Sequence, residues 1–263
     1  MSFITKCVII KSVSDKINYE RLNCMENSNE WDKILEELEK EANKEKQVEK
    51  LQEIGAKLIN EYVICADGIK IQPLWVEAYY YNEKNFPDCN THLDDKQKNR
   101  IGRLYFHKKG YGGFDICLSN SDNYYLSFLL KATLINGQFY KQTGIYDVLT
   151  EHDKSIDDLG SIENVLLKKD DPTHYPIGYT ERVGVTKSCF KNERLSAFPF
   201  EDLCNKNYDF TFAHKALEPL VKETIVNYIK ANAGCTKKEC KAESKRIFGW
   251  TPDCLNDVLK DLP

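Results

Sequence analysis

Leu74-Trp75-Val76-Glu77-Ala78-Tyr79-Tyr80-Tyr81 is the stretch of this sequence that decides the fold. The run is apolar and aromatic apart from one carboxylate, which is typical of a β-strand. Because side chains alternate across a strand, Trp75, Glu77 and Tyr79 share one face. A glutamate between two large aromatic rings indicates a pocket for a flat ring, and the alternative is a strand glutamate that points to solvent.

Glu77 is the residue of this strand that could carry chemistry. A carboxylate among apolar side chains is costly to bury in its charged form, so its pKa tends to rise. A carboxyl group with a raised pKa in a pocket is a candidate general base.

Further strands are predicted on both sides of this run. They cover residues 62–65, 69–71, 102–107, 114–118 and 125–135, with closing strands at 178–188 and 195–200. Asp67-Gly68 and Asn136-Gly137 are hairpin turn signals. Strands and helices do not alternate along the chain, so we expect an α+β fold with an antiparallel or mixed sheet.

The two ends of the chain have helical patterns. Residues 28–59 and the segment from residue 210 to Gly234 show apolar side chains at helical spacing, and Thr251-Pro252 begins a last helix. Residues 151–171 are acidic and are predicted to be a loop. The predicted organisation is an N-terminal helical extension (1–50), a β-rich domain (51–202) and a C-terminal helical extension (203–263).

Composition limits the classes of function. The chain has 263 residues, with 37 Lys and Arg against 41 Asp and Glu, and a formal charge of −4. The chain is therefore not basic throughout, but its composition does not exclude a local basic face. No apolar run approaches the roughly 20 residues of a membrane helix, and no signal peptide is recognisable. We expect no membrane partner and a cytoplasmic location, associated with the nucleoid in a bacterium.

Ten cysteines are scattered along the chain without a CxxC pair. Free buried thiols are the first interpretation and a disulfide framework is the alternative. A metal site is an alternative at Cys235, Cys240 and Cys254, although a structural zinc site has four ligands at tighter spacing.

A local basic cluster lies within residues 92–109. Its cations are Lys96, Lys98, Arg100, Arg103, Lys108 and Lys109. They are interleaved with aromatic rings, and cations that hold phosphates beside rings that stack on bases are typical of a nucleic-acid surface. The alternative is a solvated edge of the sheet with ordinary core aromatics.

The order of motifs resembles the methylpurine-DNA glycosylase (alkyladenine DNA glycosylase) family over roughly residues 51–202. The matching segments, in order, are Ala56-Lys57-Leu58-Ile59-Asn60, Val76-Glu77-Ala78-Tyr79, His92, Asn99-Arg100, Leu104-Tyr105-Phe106-His107, Tyr111-Gly112, Phe128-Leu129-Leu130-Lys131-Ala132 and Arg182-Val183-Gly184-Val185. The resemblance implies a curved sheet and an enzyme that hydrolyses the N-glycosidic bond of an alkylated purine flipped out of duplex DNA.

The resemblance also implies roles for single residues. Glu77 would activate the attacking water, and Tyr111 would fill the gap left in the duplex. The base pocket would comprise Tyr79, His92, Tyr105, His107 and either Ser119 or Asn120. The DNA-binding residues would be Arg100, Arg103, Lys108, Lys109, Lys131 and Arg182. No metal or organic cofactor and no strand cleavage are implied, and we expect a monomer with DNA as its partner.

Several departures from the family pattern keep other functions open. Residues 85–90 are extra between Glu77 and His92, and Lys131 replaces an arginine. The alternatives are a non-catalytic module that binds nucleic acid, a nucleotide or a protein, and a hydrolase that acts on a free nucleoside or nucleotide.

Overall fold

The computed structural model describes residues 30–66, 69–98, 100–107, 113–142, 144–145, 147–148, 164–185, 189–191, 193–199, 214–248, 250–260 and 262–263.

Helices α1 (residues 30–40) and α2 (Lys44–Glu61) precede the sheet. The ten strands are β1 (Tyr62–Ala66), β2 (Ile69–Asn82), β3 (Phe86–Pro87), β4 (Arg103–Phe106), β5 (Phe114–Cys117), β6 (Tyr124–Ile135), β7 (Gln138–Lys141), β8 (Asn164–Lys168), β9 (Ile177–Thr180) and β10 (Ser196–Pro199). Helices α3 (His214–Ala231), α4 (Lys237–Phe248) and α5 (Leu255–Leu259) follow.

The fold is α+β, as expected, and its sheet is a curled antiparallel half-barrel. The central pair is β2 with β6, which stay in register from Ile71–Ile135 to Asn82–Tyr124 with a bulge between Pro73 and Val76. Strands β1, β10 and β3 pair with successive parts of β2, while β5 and β7 pair with β6. Every strand pair among the described residues is antiparallel.

The two hairpins that the turn signals predict are present. Strands β1 and β2 pair up to Ala66 and Ile69, although Asp67 and Gly68 themselves lie outside the described residues. Between β6 and β7, Asn136 and Gly137 have φ values of 49° and 85°. Two consecutive positive φ angles define the turn that matches the twist of a hairpin, and Asn-Gly adopts it readily.

The predicted helix 28–59 is two helices. The chain leaves the helical conformation at residues 41–43, where the Asn43 side chain accepts a hydrogen bond from the Lys46 amide and caps α2. Both α1 and α2 contribute side chains to the main core, among them Leu38 and Leu51. The expected boundary at residue 50 lies inside α2, both helices pack on the sheet, and the division into domains stays a prediction.

A second apolar cluster covers the opposite face of the sheet. Trp75 packs there against Phe198 and Leu217, which joins α3 to the sheet. Helices α3, α4 and α5 also share a small core of their own around Ile225 and Leu255. The helical C-terminus expected from the sequence is thus present, and its first helix covers the sheet beside the strand that carries Glu77.

Strand β8 corrects the prediction of a loop over residues 151–171. It pairs with β1 along its full length, and Leu166 is buried in the main core. The acidic composition of the neighbouring sequence concealed this short apolar run, and residues 151–163 lie outside the described residues. None of the helices in the described part of the chain is long and apolar enough to cross a membrane.

At Gly55, α2 approaches the sheet closely. A Cβ atom at this position would lie 3.1 Å from Ala197 Cβ and 3.4 Å from the ring of Phe128. We predict that Gly55→Leu lowers the free energy of unfolding by about 1–3 kcal/mol, because the extra atoms overpack the core. Urea unfolding measures this change in the free energy of unfolding, and Glu49→Leu on the exposed face of α2 is the control. Equal stabilities for the two variants would contradict this packing.

Candidate active site

Glu77 lies in the middle of β2, between Leu129 of β6 and Ser196 of β10. Its side chain is fully buried. The Tyr79 hydroxyl donates to Oε2 at 3.2 Å, and the Val183 amide donates to Oε1 at 2.7 Å. Both carboxylate oxygens are therefore held by donors, which fixes the orientation of the group.

Burial raises the pKa of Glu77 above its ordinary value. The charge of Lys131, the Val183 amide, the charge of Arg182 and the Tyr79 hydroxyl all lower this pKa, but they do not compensate for the loss of solvent. Glu77 is thus a buried carboxyl group with a raised pKa, and of the two alternatives that the sequence left open it does not point to solvent.

One cavity of about 640 Å³ opens beside Glu77. Its lining residues are Tyr79, Asn90, His92, Gln97, His107, Asp115, Leu129, Lys131, Gln142, Val183, Gly184 and Val185. Ligand pockets commonly measure about 300–1,000 Å³. Tyr79, His92 and His107, which sequence analysis assigns to one base pocket, therefore line the same cavity, and Glu77 lies one hydrogen bond behind Tyr79.

Strand register places a second carboxylate on the same face as Glu77. Glu77 pairs with Leu129, Leu129 pairs with Asp115, and Asp115 pairs with Tyr105, so these residues form a row across four strands. Paired residues point to the same face, and neighbouring strands lie about 4.8 Å apart. Glu77 and Asp115 thus stand about 10 Å apart at the backbone, on opposite sides of Leu129.

Asp115 is buried and holds His107. The Nε2 atom of His107 lies 2.7 Å from Asp115 Oδ1, and the Ser127 hydroxyl donates to Oδ2 at 2.6 Å. Gln97 Nε2 in turn donates to the Ser127 hydroxyl at 2.9 Å. Burial lowers the pKa of His107, but the charge of Asp115 and the hydrogen bond to it outweigh burial and raise that pKa above its usual value.

His92 completes the aromatic side of the cavity. Its ring centroid lies 4.3 Å from that of His107, and its Nδ1 lies 3.4 Å from the hydroxyl of Tyr105. Tyr105 is nearly buried and also donates to Asp94 at 3.4 Å. The six extra residues before His92 therefore do not keep its ring away from the cavity.

Arg182 has a different position from the expected phosphate contact. Its guanidinium is buried, forms an ion pair with Asp88 at 2.5 Å and lies 4.7 Å from the ring centroid of Tyr79. It also donates to the carbonyl oxygens of Ala78 and Phe190. A side chain held on so many sides supports Tyr79 from behind, and the phosphate contact expected for Arg182 stays a prediction that this position does not support.

Ser119 and Asn120 lie at a different place from the base pocket that sequence analysis suggests for one of them. The Ser119 hydroxyl donates to the carbonyl oxygen of Tyr124, and the Asn120 side chain contacts the Tyr124 hydroxyl and Asp32. They belong to the β5–β6 connection and its contact with α1, and neither lines the cavity. The assignment of either residue to the base pocket stays a prediction that this placement does not support.

The predicted DNA-binding residues are only partly described. Lys131 lines the cavity, Arg103 is exposed on β4, and Arg100 donates to the carbonyl oxygen of Lys96. Lys108, Lys109, Tyr111 and Asn99 lie outside the described residues. The basic cluster as a whole therefore stays a prediction.

Cysteine pairing differs from the expectation of free thiols at one place. Cys89 and Cys189 form a disulfide with a Cα–Cα distance of 6.2 Å. The bridge joins the two segments that hold Arg182, since Asp88 precedes Cys89 and Phe190 follows Cys189. Disulfides are rare in the cytosol, so the expected cytoplasmic location stays a prediction that this bridge does not support.

The structure describes all three cysteines at which the sequence suggests a metal site, Cys235, Cys240 and Cys254. The sulfur atoms of Cys235 and Cys240 are buried and lie 3.5 Å apart, while Cys254 donates to the carbonyl oxygen of Glu218. In the described part of the chain, no three His, Cys, Asp or Glu side chains are grouped so that they could hold a metal ion.

Asp115, Ser127, Gln97 and Asn90 are site residues that sequence analysis did not select. Asp115 carries the same signal as Glu77, a single carboxylate on an otherwise apolar strand, and could have been found by it. Gln97 ends a single 3₁₀ turn and Asn90 lies in a turn, and segments this short show no periodicity that would indicate the direction of a side chain.

No protein-family model matches the chain, and no curated protein matches it.

We predict that loss of the Cys89–Cys189 bridge lowers the free energy of unfolding by about 3–5 kcal/mol. The bridge spans a sequence separation of 100, and closing such a long loop removes much entropy from the unfolded chain. The measurement is urea unfolding of Cys89→Ser without reductant. Cys254→Ser, which keeps a donor toward Glu218, serves as the control and should change little. Equal losses for the two variants would contradict the assignment.

Burial of Glu77 also predicts a pH-dependent stability. Because its folded-state pKa is raised, its contribution is complete below the unfolded-state pKa and is lost as pH rises through the folded-state pKa. We expect the melting temperature of Glu77→Gln, relative to the native protein, to increase as the pH rises above about 4. The exposed Glu49→Gln is the control. A difference that is constant over this range would refute the raised pKa.

Proposed function

We propose that the cavity beside Glu77 is the active site of a DNA glycosylase that hydrolyses the N-glycosidic bond of a damaged, alkylated purine. The observation that carries the proposal is that Glu77 lies one hydrogen bond behind Tyr79, and that Tyr79 lines one cavity together with His92 and His107. A carboxylate and several aromatic rings around one volume suit a reaction on a flat, electron-poor ring.

Glu77 acts as the general base. It accepts a proton from a water molecule, and the water oxygen attacks the anomeric carbon as the bond to the base breaks. An alkylated purine carries a positive charge and leaves readily, so one carboxylate is sufficient. The Val183 amide, which donates to Oε1, keeps the carboxylate in one orientation while Tyr79 moves away from Oε2 to admit the water.

The rings of Tyr79, His92 and His107 form the base pocket. Burial and the charge of Glu77 raise the pKa of Tyr79 well above its ordinary value, so its hydroxyl stays a hydrogen-bond donor. Arg182, packed behind the Tyr79 ring and fixed by Asp88, keeps that ring in place. An aromatic surface held rigid from behind favours stacking, because little conformational entropy is lost on binding.

DNA is the proposed partner, because a purine is reached in this way only after the nucleotide leaves the stack. Lys131 brings a positive charge to the cavity, and Arg103 is exposed on the neighbouring strand β4. The formal charge of −4 means that this contact is local. Duplex affinity should therefore fall with salt, with a slope that corresponds to a few phosphates.

A non-catalytic binding module is the second candidate, and one observation favours it. Glu77 is fully buried and both its oxygens already accept hydrogen bonds. A water molecule therefore reaches the carboxylate only if Tyr79 moves. In this alternative the same cavity binds a base or nucleotide, and Glu77 serves only to orient Tyr79.

Substitution of Glu77 distinguishes the two candidates. In the first, Glu77→Gln lowers the rate of base release from methylated duplex DNA by about 100-fold or more, because the general base is lost. Binding of the same duplex survives, since glutamine keeps the shape: its amide oxygen accepts from the Val183 amide, and its NH2 group donates to the oxygen of Tyr79. Released purine is measured by chromatography and binding by fluorescence anisotropy, with Glu49→Gln as the matched control.

If the native protein binds the duplex but releases no base, the binding module is the better description. If Glu77→Gln releases base as fast as the native protein, the assigned role of Glu77 is wrong. Release from methylated mononucleotides at the rate seen with duplex DNA would favour a hydrolase of free nucleotides.

A further inference from the structure

Lys131 brings a primary amine to the cavity, and the attack of water on the glycosidic bond makes no use of it. The residue lies on β6, lines the cavity and is half-buried. Within the described part of the chain, its ammonium group forms no hydrogen bond or ion pair. A lysine amine that opens into a cavity without a bonded carboxylate is able to react with a carbonyl carbon of a ligand.

A β-bulge directs Lys131 into the cavity. Leu130 pairs with Val76. The next pair along the two strands is Ala132 with Trp75, so Lys131 is an extra residue of β6. Ala132 packs in the apolar cluster of Trp75, on the face of the sheet that Lys131 also reaches. Two consecutive side chains thus lie on a face that otherwise receives every second one, and bulges often redirect side chains in this way beside active sites.

Lys131 and Glu77 are diagonal neighbours across β6 and β2. Glu77 pairs with Leu129, and Lys131 follows Leu129 by two positions. Residues in this relation lie about 7–8 Å apart at the backbone, within reach of a long side chain. Burial raises the pKa of Glu77, and the charge of Lys131 is the largest of the effects that lower it. The fold therefore holds a primary amine close to a carboxylate that can accept its proton.

The sugar of a bound nucleotide lies near this amine. In the proposed reaction the base stacks on the rings of the cavity, and the water that Glu77 activates attacks the anomeric carbon C1′. That carbon must therefore lie close to Glu77. Because Lys131 is a neighbour of Glu77 and lines the cavity itself, its amine is close to the same carbon.

We propose that Lys131 is a nucleophile that forms an imine with C1′ of an abasic sugar, and that the site is also a lyase that cleaves the DNA strand on the 3′ side of this sugar. The inference rests on the proposed function, because base release produces the abasic sugar in the same cavity. It also goes beyond that function, since hydrolysis of the glycosidic bond leaves the strand intact. The resemblance to the glycosylase family implies no strand cleavage, and an arginine at this position would not be nucleophilic.

Imine formation accounts for every atom. When Tyr79 moves away from Glu77 Oε2, that oxygen accepts a proton from the Lys131 ammonium group. The neutral amine bonds to C1′ of the ring-opened sugar, which is an aldehyde carbon, and a proton shifts from the nitrogen to the former carbonyl oxygen. That oxygen takes the proton from Glu77 and leaves as water. The nitrogen and C1′ are then joined by a double bond, and the nitrogen carries the positive charge.

The imine makes cleavage of the strand possible. Glu77 accepts a proton from C2′, and the electrons of that bond form an enamine. The enamine expels the phosphate from C3′, and the phosphate oxygen keeps the electron pair of the broken bond. Water hydrolyses the unsaturated imine to an aldehyde and the Lys131 ammonium group, and Glu77 releases its proton to solvent. The steps require no oxidant or reductant.

The test uses the full chain and a duplex with one preformed abasic site. Borohydride reduces an imine to a stable amine, so in its presence the native protein should become covalently attached to the DNA. Peptide mapping should then find the sugar on Lys131. Without borohydride the strand should break at the abasic site, and denaturing gel electrophoresis measures the rate.

Lys131→Arg is the decisive variant, because arginine keeps the positive charge but has no nucleophilic amine. We expect covalent trapping and strand cleavage to fall by about 100-fold or more. This loss should be much larger than any change in purine release from methylated DNA or in duplex affinity. Lys70→Arg, at an exposed position of β2 outside the cavity, is the matched control and should be trapped like the native protein. Near-ultraviolet circular dichroism confirms that both variants are folded.

The outcomes separate this inference from the proposed function. If the native protein is not trapped, if it is trapped on another lysine, or if Lys131→Arg cleaves at the native rate, the lyase inference is overturned. A loss of purine release as large as the loss of cleavage would also overturn the role of Lys131 as a nucleophile. Purine release without trapping leaves the proposed function intact, whereas trapping on Lys131 without purine release supports the lyase and overturns the glycosylase.

Discussion

The antiparallel pairing of β2 with β6 is the constraint on which the rest of the structure depends. Its register places Glu77 opposite Leu129 and Tyr79 opposite Ser127, and the pairing of β6 with β5 then adds Asp115 to the same face. A slip by one residue would move Glu77 into the main core. The register that buries the apolar face of β2 therefore also assembles the polar residues of the cavity.

This assembly has a cost in stability. Glu77 is buried without a directly bonded cation, and the Nε of Arg182 is buried without a hydrogen-bond partner among the described residues. Buried groups of this kind destabilise a fold unless they are compensated. The Cys89–Cys189 bridge and the Arg182–Asp88 pair join the segments beside the cavity. They therefore stabilise the fold in the region where the buried groups destabilise it. Local conflicts of this kind are typical of functional sites.

Sequence patterns predicted the central part of this architecture and were less informative at its edges. The long apolar strands, the Asn136-Gly137 turn and the burial of Glu77 follow from local chemistry that tertiary contacts reinforce. The break between α1 and α2 was missed because the charged residues on both sides suit a helix. The Arg182 ion pair and the disulfide join segments about 100 residues apart. Local periodicity contains no information about such contacts.

Two titratable side chains lie on this face of the sheet, and the structure raises the pKa of both by different means. Burial raises the pKa of Glu77, and the groups that lower it do not compensate for the loss of solvent. Burial lowers the pKa of His107, but the charge of Asp115 and the hydrogen bond to it outweigh burial and raise that pKa. Without Asp115, burial would favour the neutral imidazole. Asp115 therefore keeps the charged form of His107 accessible on a face of the sheet whose packing disfavours charge.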